Sequence, residues 1–425
     1  MQFKIKKYTI LFLLIILLLL SFTKNIFGKN FIQNPIFEGF QSDSEYLVFS
    51  KVFQDKYSID GSKYGLACVT NEENARVDNI WDVIYHNGEN IKVGEYPSQL
   101  GLQGYIFSFL YNKINMPFWI MKLICCIALA IIVIRISYII YHKYGKLMGA
   151  VFYITFLLSP WVISFARNLY WVEFTWFLPI LIALKLSTNY QKRKIFVPCI
   201  FLAILIKCLC GYEYISTIMM GTVSFFIVDF FLEKDRKKRK IIFKTTIEVG
   251  IACICAFVVA MCMHASLRGN GNILYGIENI YKNDILRRTI IVSNDVVFPE
   301  VYQESLNAGI ISTISKYFVW NSNILLGIEG KYFMIMFIST IAIIAYNILE
   351  KRKNCYRDMV MYIMFLVTTL SWIILGKSHS YIHTHINFVL WYFGFIQICL
   401  YEIIQFICQV TYEIGEKIVK GEKNI

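Results

Sequence analysis

Long apolar runs recur from Tyr8 to Cys408, and they limit the fold of this chain more than any other feature does. A helix needs roughly 20 apolar residues to cross a hydrocarbon layer about 30 Å thick, and the runs come close to that length. Charged residues make up only 17% of the chain, whereas soluble domains contain about 25%. The sequence therefore predicts an all-α, polytopic membrane protein and excludes a soluble globular fold.

Ten membrane spans are predicted within a single membrane domain that covers residues 1–425. They are 8–22, 117–141, 147–166, 169–186, 195–210, 214–232, 245–265, 332–349, 359–376 and 386–408. Pro160 and Gly211 lie in or between neighbouring apolar runs and are expected to break them. The first run follows three lysines, as in a signal peptide, but no small-residue cleavage site follows Phe22. We therefore interpret it as a retained anchor.

Lys and Arg predict the orientation, because short cytoplasmic segments retain them. With the N-terminus inside, 22 of them fall in short inner segments and only 3, namely Arg167, Lys207 and Lys377, at the outer turns. Both termini are thus predicted to be inside. This distribution also accounts for the net charge of +13 and argues against a nucleic-acid partner. The abundance of Ile, Lys and Asn is typical of AT-rich bacterial genomes, so a bacterial cytoplasmic membrane is the expected location.

Two long connections remain on the predicted outer side, 23–116 and 266–331, which we call the first and second outer segments. The first has 8 basic and 11 acidic residues, so it is not a general phosphate-binding surface. The second contains aromatic residues and the arginines Arg268, Arg287 and Arg288. Its rings fit either stacking on sugars or anchoring at the lipid headgroups, and composition does not separate the two.

An acidic pair, Asp43 and Glu45, lies near the start of the first outer segment. One interpretation is structural: Ser42 and Glu45 have the spacing of a capping box, and Asp43 favours a helix N-terminus. The other is chemical: a carboxylate at the membrane surface acts as a general base or helps hold a divalent metal. Residues two apart do not share a helical face, so only one carboxylate faces a substrate if the helix has begun. The apolar spacing of Leu47–Phe49 with Val52 and Phe53 predicts a helix along the membrane surface directly after this pair, and a second interfacial helix is predicted from Tyr96 to Leu110.

This layout resembles the GT-C superfamily of membrane glycosyltransferases. The resemblance rests on the inside N-terminus, the long outer segment directly after the first span, and Asp43 and Glu45 in the place of that family's modified Asp-x-Asp motif. The Tyr96–Leu110 helix and the turn 166–171 look like further parts of the same architecture, and the likeness covers a core of about 1–232. It implies an enzyme that uses a polyprenyl-phosphate-linked sugar, with Asp43 and Glu45 as catalytic residues.

Further polar residues lie at the predicted outer ends of the spans. Arg167 either binds a donor phosphate through its guanidinium or is an interfacial residue that pairs with Glu173. Glu213, next to Tyr214, is a second candidate acid, although it and Lys207 are expected to neutralise each other.

Three histidines, His379, His383 and His385, follow the ninth predicted span. His379 and His383 are four apart and share a face if the segment is helical. They fit hydrogen bonding to a phosphate or sugar, a metal site, or an ordinary polar interface, and a third metal ligand is not evident in the segment. Asn387 and Trp391 are expected to line the same cavity.

The sequence thus predicts a membrane glycosyltransferase that moves a sugar from a polyprenyl-phosphate donor to a cell-envelope glycan, lipid or protein on the outer face. Asp43 and Glu45 are the predicted catalytic residues, and Arg167 with the three histidines the predicted phosphate ligands. A divalent metal is left open as a cofactor. The alternatives are a polysaccharide polymerase that uses a diphosphate-linked glycan, and a transporter or flippase, for which clear internal repeats are missing.

Overall fold

The structure is a computed structural model that describes residues 2–29, 34–71, 91–286, 300–320, 323–325 and 327–421. The chain is largely helical. Its α-helices are α1 (Gln2–Lys24), α2 (Asn34–Gly39), α3 (Ser42–Tyr57), α4 (Leu102–Ile114), α5 (Phe118–Tyr144), α6 (Lys146–Leu158), α7 (Pro160–Phe165), α8 (Phe174–Leu186), α9 (Arg193–Cys210), α10 (Ile215–Leu232), α11 (Arg236–Arg268), α12 (Ile273–Ile280), α13 (Glu300–Asn307), α14 (Ile310–Phe318), α15 (Phe333–Leu349), α16 (Cys355–Leu375), α17 (Lys377–Ile382), α18 (Thr384–Asn387) and α19 (Phe395–Gly421). The predicted Arg287 and Arg288 lie outside the described residues.

Six of the helices in the described ranges are long and apolar enough to cross a membrane, namely α5, α10, α11, α15, α16 and α19. Shorter apolar helices, α1, α6 and α8, accompany them. Many of their large apolar side chains are exposed, for example Ile254 on α11 at 58% and Ile338 on α15 at 57%. Only lipid makes such exposure favourable over whole helices, so the chain is an integral membrane protein.

The ten-span count stays a prediction, and several predicted spans differ from the helices observed; the seventh, for example, is part of α11, which begins at Arg236. The third is interrupted before Pro160, where the Ser159 hydroxyl accepts a hydrogen bond from the Val162 N–H (3.2 Å) and begins α7. The fourth starts later than predicted, because 169–173 form a buried turn ahead of α8. The tenth starts at Phe395, after Gly394 with a φ of 115° that glycine adopts without strain.

The described part of the first outer segment contains a short two-stranded sheet, whereas the described chain as a whole is mostly helical, in keeping with the all-α prediction. Strands β1 (Ala67–Asn71) and β2 (Ile91–Glu95) pair antiparallel, and β1 packs on α3. The Tyr46 hydroxyl donates to the Val69 carbonyl (2.5 Å). Because α3 buries Val48, Val52 and Phe53 inside the protein, it is not the surface helix that its apolar spacing predicted. A second short pair, β3 (Asn323–Leu325) and β4 (Ile328–Glu329), lies in the second outer segment.

At the ends of α5, α8 and α10, polar side chains form what we call the inner cluster. Lys143 donates to Asp229 (2.5 Å) and to the hydroxyl of Ser187 (2.7 Å). The Tyr144 and Tyr190 hydroxyls also donate to the Asp229 carboxylate. The cluster joins three segments that the sequence analysis assigned to the inner side of the membrane.

Candidate functional site

A cavity of about 340 Å³ gathers side chains from five separate parts of the chain. They come from the start of α3, from the loop before α4, from the turns that precede α8 and α10, and from α17 and α18. The lining residues are Gln41, Asp43, Ser44, Tyr96, Ser98, Tyr170, Trp171, Glu213, Ser378, His379, Ile382, His383, His385 and Ile386. Five of the predicted site residues therefore share one cavity, although they are up to 342 positions apart in sequence (Asp43 to His385).

Asp43 lies in the first turn of α3 and faces the cavity. The chain enters this helix through Gln41, whose left-handed backbone (φ 53°) turns it sharply before Ser42. The positive end of the helix dipole favours a carboxylate at this position. The predicted capping box does not form, because Gln41 precedes the helix and the Glu45 side chain is bound elsewhere.

Glu45 faces away from the cavity lining and joins distant parts of the fold. One carboxylate oxygen lies 2.7 Å from the Lys122 ammonium on α5, and the other accepts from the Leu169 N–H at 2.9 Å. The carboxylate is nearly buried, at 9% side-chain exposure. Of the predicted acidic pair, the structure thus places only Asp43 in the cavity lining, and Glu45 forms an ion pair with Lys122.

The three histidines lie close together in the lining of the same cavity. The rings of His379 and His383 are 4.6 Å apart between centroids, and those of His383 and His385 are 5.6 Å apart. Asn387 lies behind them, with its amide nitrogen 3.2 Å from His379 Nδ1 and 3.2 Å from the Ser380 hydroxyl. Asn387 therefore orients His379 rather than lining the cavity itself.

The negative charge of Asp43 acts on His385. Burial lowers the pKa of His385, because the cationic form loses hydration, and the charge of Asp43 opposes this shift. An acid and an imidazole that influence each other's charge across an open cavity can accept and donate protons around a bound molecule.

Glu213 reaches the cavity from the turn between α9 and α10, as predicted for a second acid. This turn is tight: a Cβ on Gly211 would lie 2.6 Å from a Glu213 carboxylate oxygen and 2.5 Å from the Gln99 amide oxygen. The Lys207 ammonium, which was expected to neutralise Glu213, donates to the Gly211 carbonyl at 2.7 Å. Glycine at this position therefore leaves the space that the Glu213 and Gln99 side chains occupy.

Tyr214 supports the wall from behind. It is fully buried, and its ring stacks on Trp171 with centroids 5.6 Å apart and an interplanar angle of 10°. Trp176 and Trp372 meet the same ring edge-on. Trp391 is not a lining residue and packs against Phe333. Tyr214 and Trp391 are thus aromatic support rather than ligand contacts.

Arg167 does not line the cavity. Its guanidinium lies over the Phe37 ring (4.7 Å to the centroid) and donates to the Glu38 carbonyl at 3.2 Å. The predicted alternative partner, Glu173, is fully buried, and neither of its oxygens has a hydrogen-bond partner among the described residues. Arg167 therefore joins the turn 166–173 to α2 and is not among the residues that line the cavity.

A metal ion would find few protein ligands here. Within the described ranges, no group of three or more His, Cys, Asp or Glu side chains is placed to hold one. A divalent cation beside Asp43 would have to take most of its ligands from the oxygens of a substrate, as Mg²⁺ often does with phosphates.

The sequence analysis missed the aromatic part of the cavity. Tyr96, Tyr170 and Trp171 line it, although Tyr96 was interpreted as the start of a helix that in fact begins at Leu102. It also missed the Lys122–Glu45 ion pair. A lone lysine five residues into a predicted span was the available signal, because a buried charge requires a partner.

Comparison of the chain with protein-family models, with curated proteins and with solved structures gave no significant match. The likeness to the GT-C superfamily therefore rests on the layout of the spans and on the acidic pair alone.

Proposed function

We propose that the protein is a membrane glycosyltransferase and that the cavity is its active site. The observation that carries the proposal is that one cavity of about 340 Å³ is lined together by Asp43, Glu213 and three histidines. Ionisable side chains at the end of a membrane helix bundle are costly unless they pair with each other or face a cavity that holds a ligand, and these line a cavity.

The lining chemistry fits a sugar and its leaving group. Tyr96, Tyr170 and Trp171 offer aromatic faces on which sugar rings pack. Carboxylate, hydroxyl and amide groups beside them suit hydrogen bonds to sugar hydroxyls. Among the described residues that line the cavity none is Lys or Arg, so the histidines are the groups available to neutralise a phosphate.

In the proposed reaction, the acceptor hydroxyl attacks the anomeric carbon and loses its proton to Asp43. The bond between that carbon and the phosphate oxygen breaks, and polyprenyl phosphate leaves with the electron pair. His379, His383 and His385 hydrogen-bond the developing phosphate charge. Glu45 and Arg167 hold the surrounding elements in place. The acceptor would be a cell-envelope glycan, lipid or protein on the outer face of the membrane.

The test uses purified protein in liposomes with a radiolabelled polyprenyl-phosphate sugar and an acceptor extract. Transfer of a single sugar by the wild type supports the proposal. Growth of a polymer from a diphosphate-linked glycan would instead identify a polymerase, and movement of the labelled lipid across the bilayer without transfer would identify a flippase.

The variant that connects activity to the cavity is Asp43→Asn, with Asp60→Asn as its control. Asp60 is an exposed aspartate in the same outer segment, so the control makes the same chemical change away from the cavity. We expect transfer to be lost in Asp43→Asn and kept in Asp60→Asn. Wild-type transfer by Asp43→Asn would remove Asp43 from the mechanism.

A further inference from the structure

Lys377 is buried at the edge of the cavity, with 4% of its surface exposed. Its ammonium donates to the Leu306 carbonyl and to the Ala308 carbonyl (2.7 Å), which are the backbone oxygens at the C-terminal end of α13. Carbonyls at a helix C-terminus lack intrahelical partners and carry the negative end of the helix dipole. A cation there satisfies them, so this contact joins the second outer segment to α17.

Residues next to Lys377 and Leu306 form further hydrogen bonds between α13 and α17. The hydroxyls of Ser305 and Ser378 are 2.6 Å apart, and Ser305 is fully buried. The Tyr381 hydroxyl donates to a Glu304 carboxylate oxygen at 2.6 Å. All of these bonds run between α13 and α17.

Helix α14 holds the same short helix from another direction. The Tyr317 hydroxyl donates to the Ser380 carbonyl at 3.2 Å, and Lys316 donates to the Tyr381 carbonyl at 3.3 Å. The Tyr317 side chain is fully buried. Because α17 has only six residues, it cannot hold its own orientation, and these contacts supply it.

The other side of α17 faces the cavity with His379 and His383. We propose that the second outer segment fixes the orientation of this histidine wall and that Lys377 is the positioning residue through which it acts. The inference rests on the proposed function only in taking the cavity as the working site.

The same outer segment also reaches the opposite wall. Arg268 pairs with Asp284 and donates to the Pro97 carbonyl at 2.9 Å, and His264 Nε2 lies 2.9 Å from that same oxygen. The neighbours of Pro97, Tyr96 and Ser98, both line the cavity. The second outer segment thus contacts α17, which carries His379, and also the loop that carries Tyr96 and Ser98. An element with contacts to both parts of the lining can set the distance between them.

The experiment measures how fast diethylpyrocarbonate modifies each histidine, by peptide mass spectrometry of the full-length protein in lipid nanodiscs. We expect Lys377→Met to change the rates at His379 and His383, and Lys377→Arg, which keeps the cation, to preserve them. His142, exposed at the far end of α5, is the internal reference. Lys331→Met is the matched control, because Lys331 is an exposed lysine of the same outer segment whose partner is Glu329.

Two further variants guard against a folding defect in Lys377→Met. Tyr317→Phe removes only the hydroxyl that binds the Ser380 carbonyl, and should shift the same two rates by less. In the Lys377→Met background, Ser305→Cys with Ser378→Cys places two sulfurs where hydroxyls are 2.6 Å apart, a gap that a disulfide closes. Oxidation of that pair should return the His379 and His383 rates towards wild type.

Unchanged His379 and His383 rates in Lys377→Met would overturn the inference, as would failure of the oxidised cysteine pair to restore them. If the wild type transfers sugar, turnover by Lys377→Met should fall roughly tenfold to a hundredfold, with Lys377→Arg near wild type. If the rates respond as expected but the wild type transfers nothing, the proposed function fails and the positioning role of Lys377 stands.

Discussion

At the inner cluster, Lys143 lies 2.5 Å from Asp229 and 2.7 Å from Ser187, and two tyrosine hydroxyls donate to the same carboxylate. At the cavity, Asp43, Glu213 and three histidines line an open space of about 340 Å³. In both regions, charged side chains bring loops together at the end of the helix bundle. In the inner cluster a lysine and an acid meet directly, as in a structural ion pair. In the cavity the ionisable groups are arranged around a volume that a ligand could fill.

The largest contrast is expected between two aspartate variants. Asp43→Asn should lower transfer turnover roughly 10²–10⁴-fold, because it removes a general base, and should leave the unfolding midpoint near wild type. Asp229→Asn should lower the free energy of unfolding by about 3 kcal/mol, because it leaves the Lys143 ammonium without its counter-charge, while turnover per folded molecule persists. Denaturant unfolding in detergent and the liposome assay measure the two quantities. Equal loss of activity in both variants would erase the contrast.

The same contrast should appear within a single helix, between Asp43 and Glu45. Glu45→Gln is expected to lower the free energy of unfolding by about 1–3 kcal/mol, because Lys122 loses a partner 2.7 Å away. Adding Lys122→Met should recover part of that loss, since both charges are then removed together. A double-mutant cycle by denaturant unfolding measures the coupling. Strictly additive losses would show that the two side chains do not stabilise each other.

Gly211→Ala tests whether turnover depends on the position of the Glu213 carboxylate. A Cβ at that position would lie 2.6 Å from a Glu213 oxygen, so the carboxylate has to move away. We expect turnover to fall roughly tenfold through misplacement of the acid, with a smaller effect on stability. Gly39→Ala is the control, because a Cβ at Gly39 meets no atom within 4 Å. Wild-type turnover in Gly211→Ala would leave Glu213 without a function in the cavity.

The smallest effect concerns the charge of His385. Burial lowers its pKa and the Asp43 charge opposes the shift, so Asp43→Asn should lower the pKa further. With a depressed folded-state pKa, the neutral form stabilises the fold fully above the unfolded-state pKa. That stability is lost as the pH falls from the unfolded-state pKa towards the folded-state value. The pH dependence of the diethylpyrocarbonate modification rate at His385 measures its pKa in the wild type and in Asp43→Asn. An upward shift in Asp43→Asn would contradict the assigned proximity.

The sequence predicted the helical membrane class because the length of an apolar run and the position of charges beside it depend only on neighbouring residues. It also identified five of the cavity residues, since an ionisable group at a span end is expensive and therefore conspicuous. It did not separate Asp43 from Glu45, because which carboxylate turns towards α5 depends on Lys122 and on the turn 166–173 in three dimensions.

Two further differences have the same origin. The α3 apolar spacing predicted a helix on the membrane surface, but α4 and strand β1 pack against it instead. Arg167 was assigned to a phosphate on charge alone, whereas Phe37 and the Glu38 carbonyl, far off in sequence, occupy its guanidinium. Contacts between segments distant in sequence determine both the burial of α3 and the position of Arg167. Such contacts cannot be predicted from the spacing of residues along the chain.

The Glu45 contacts have a consequence for biosynthesis. Its carboxylate meets Lys122 and the Leu169 N–H, 77 and 124 residues later in the chain, and the histidine wall comes still later, at 379–385. A ribosome adding residues at about 5–20 per second thus takes many seconds to deliver the last wall after the first. A chain cut short before α17 would contain Asp43 and Glu213 but none of the three histidines that line the cavity.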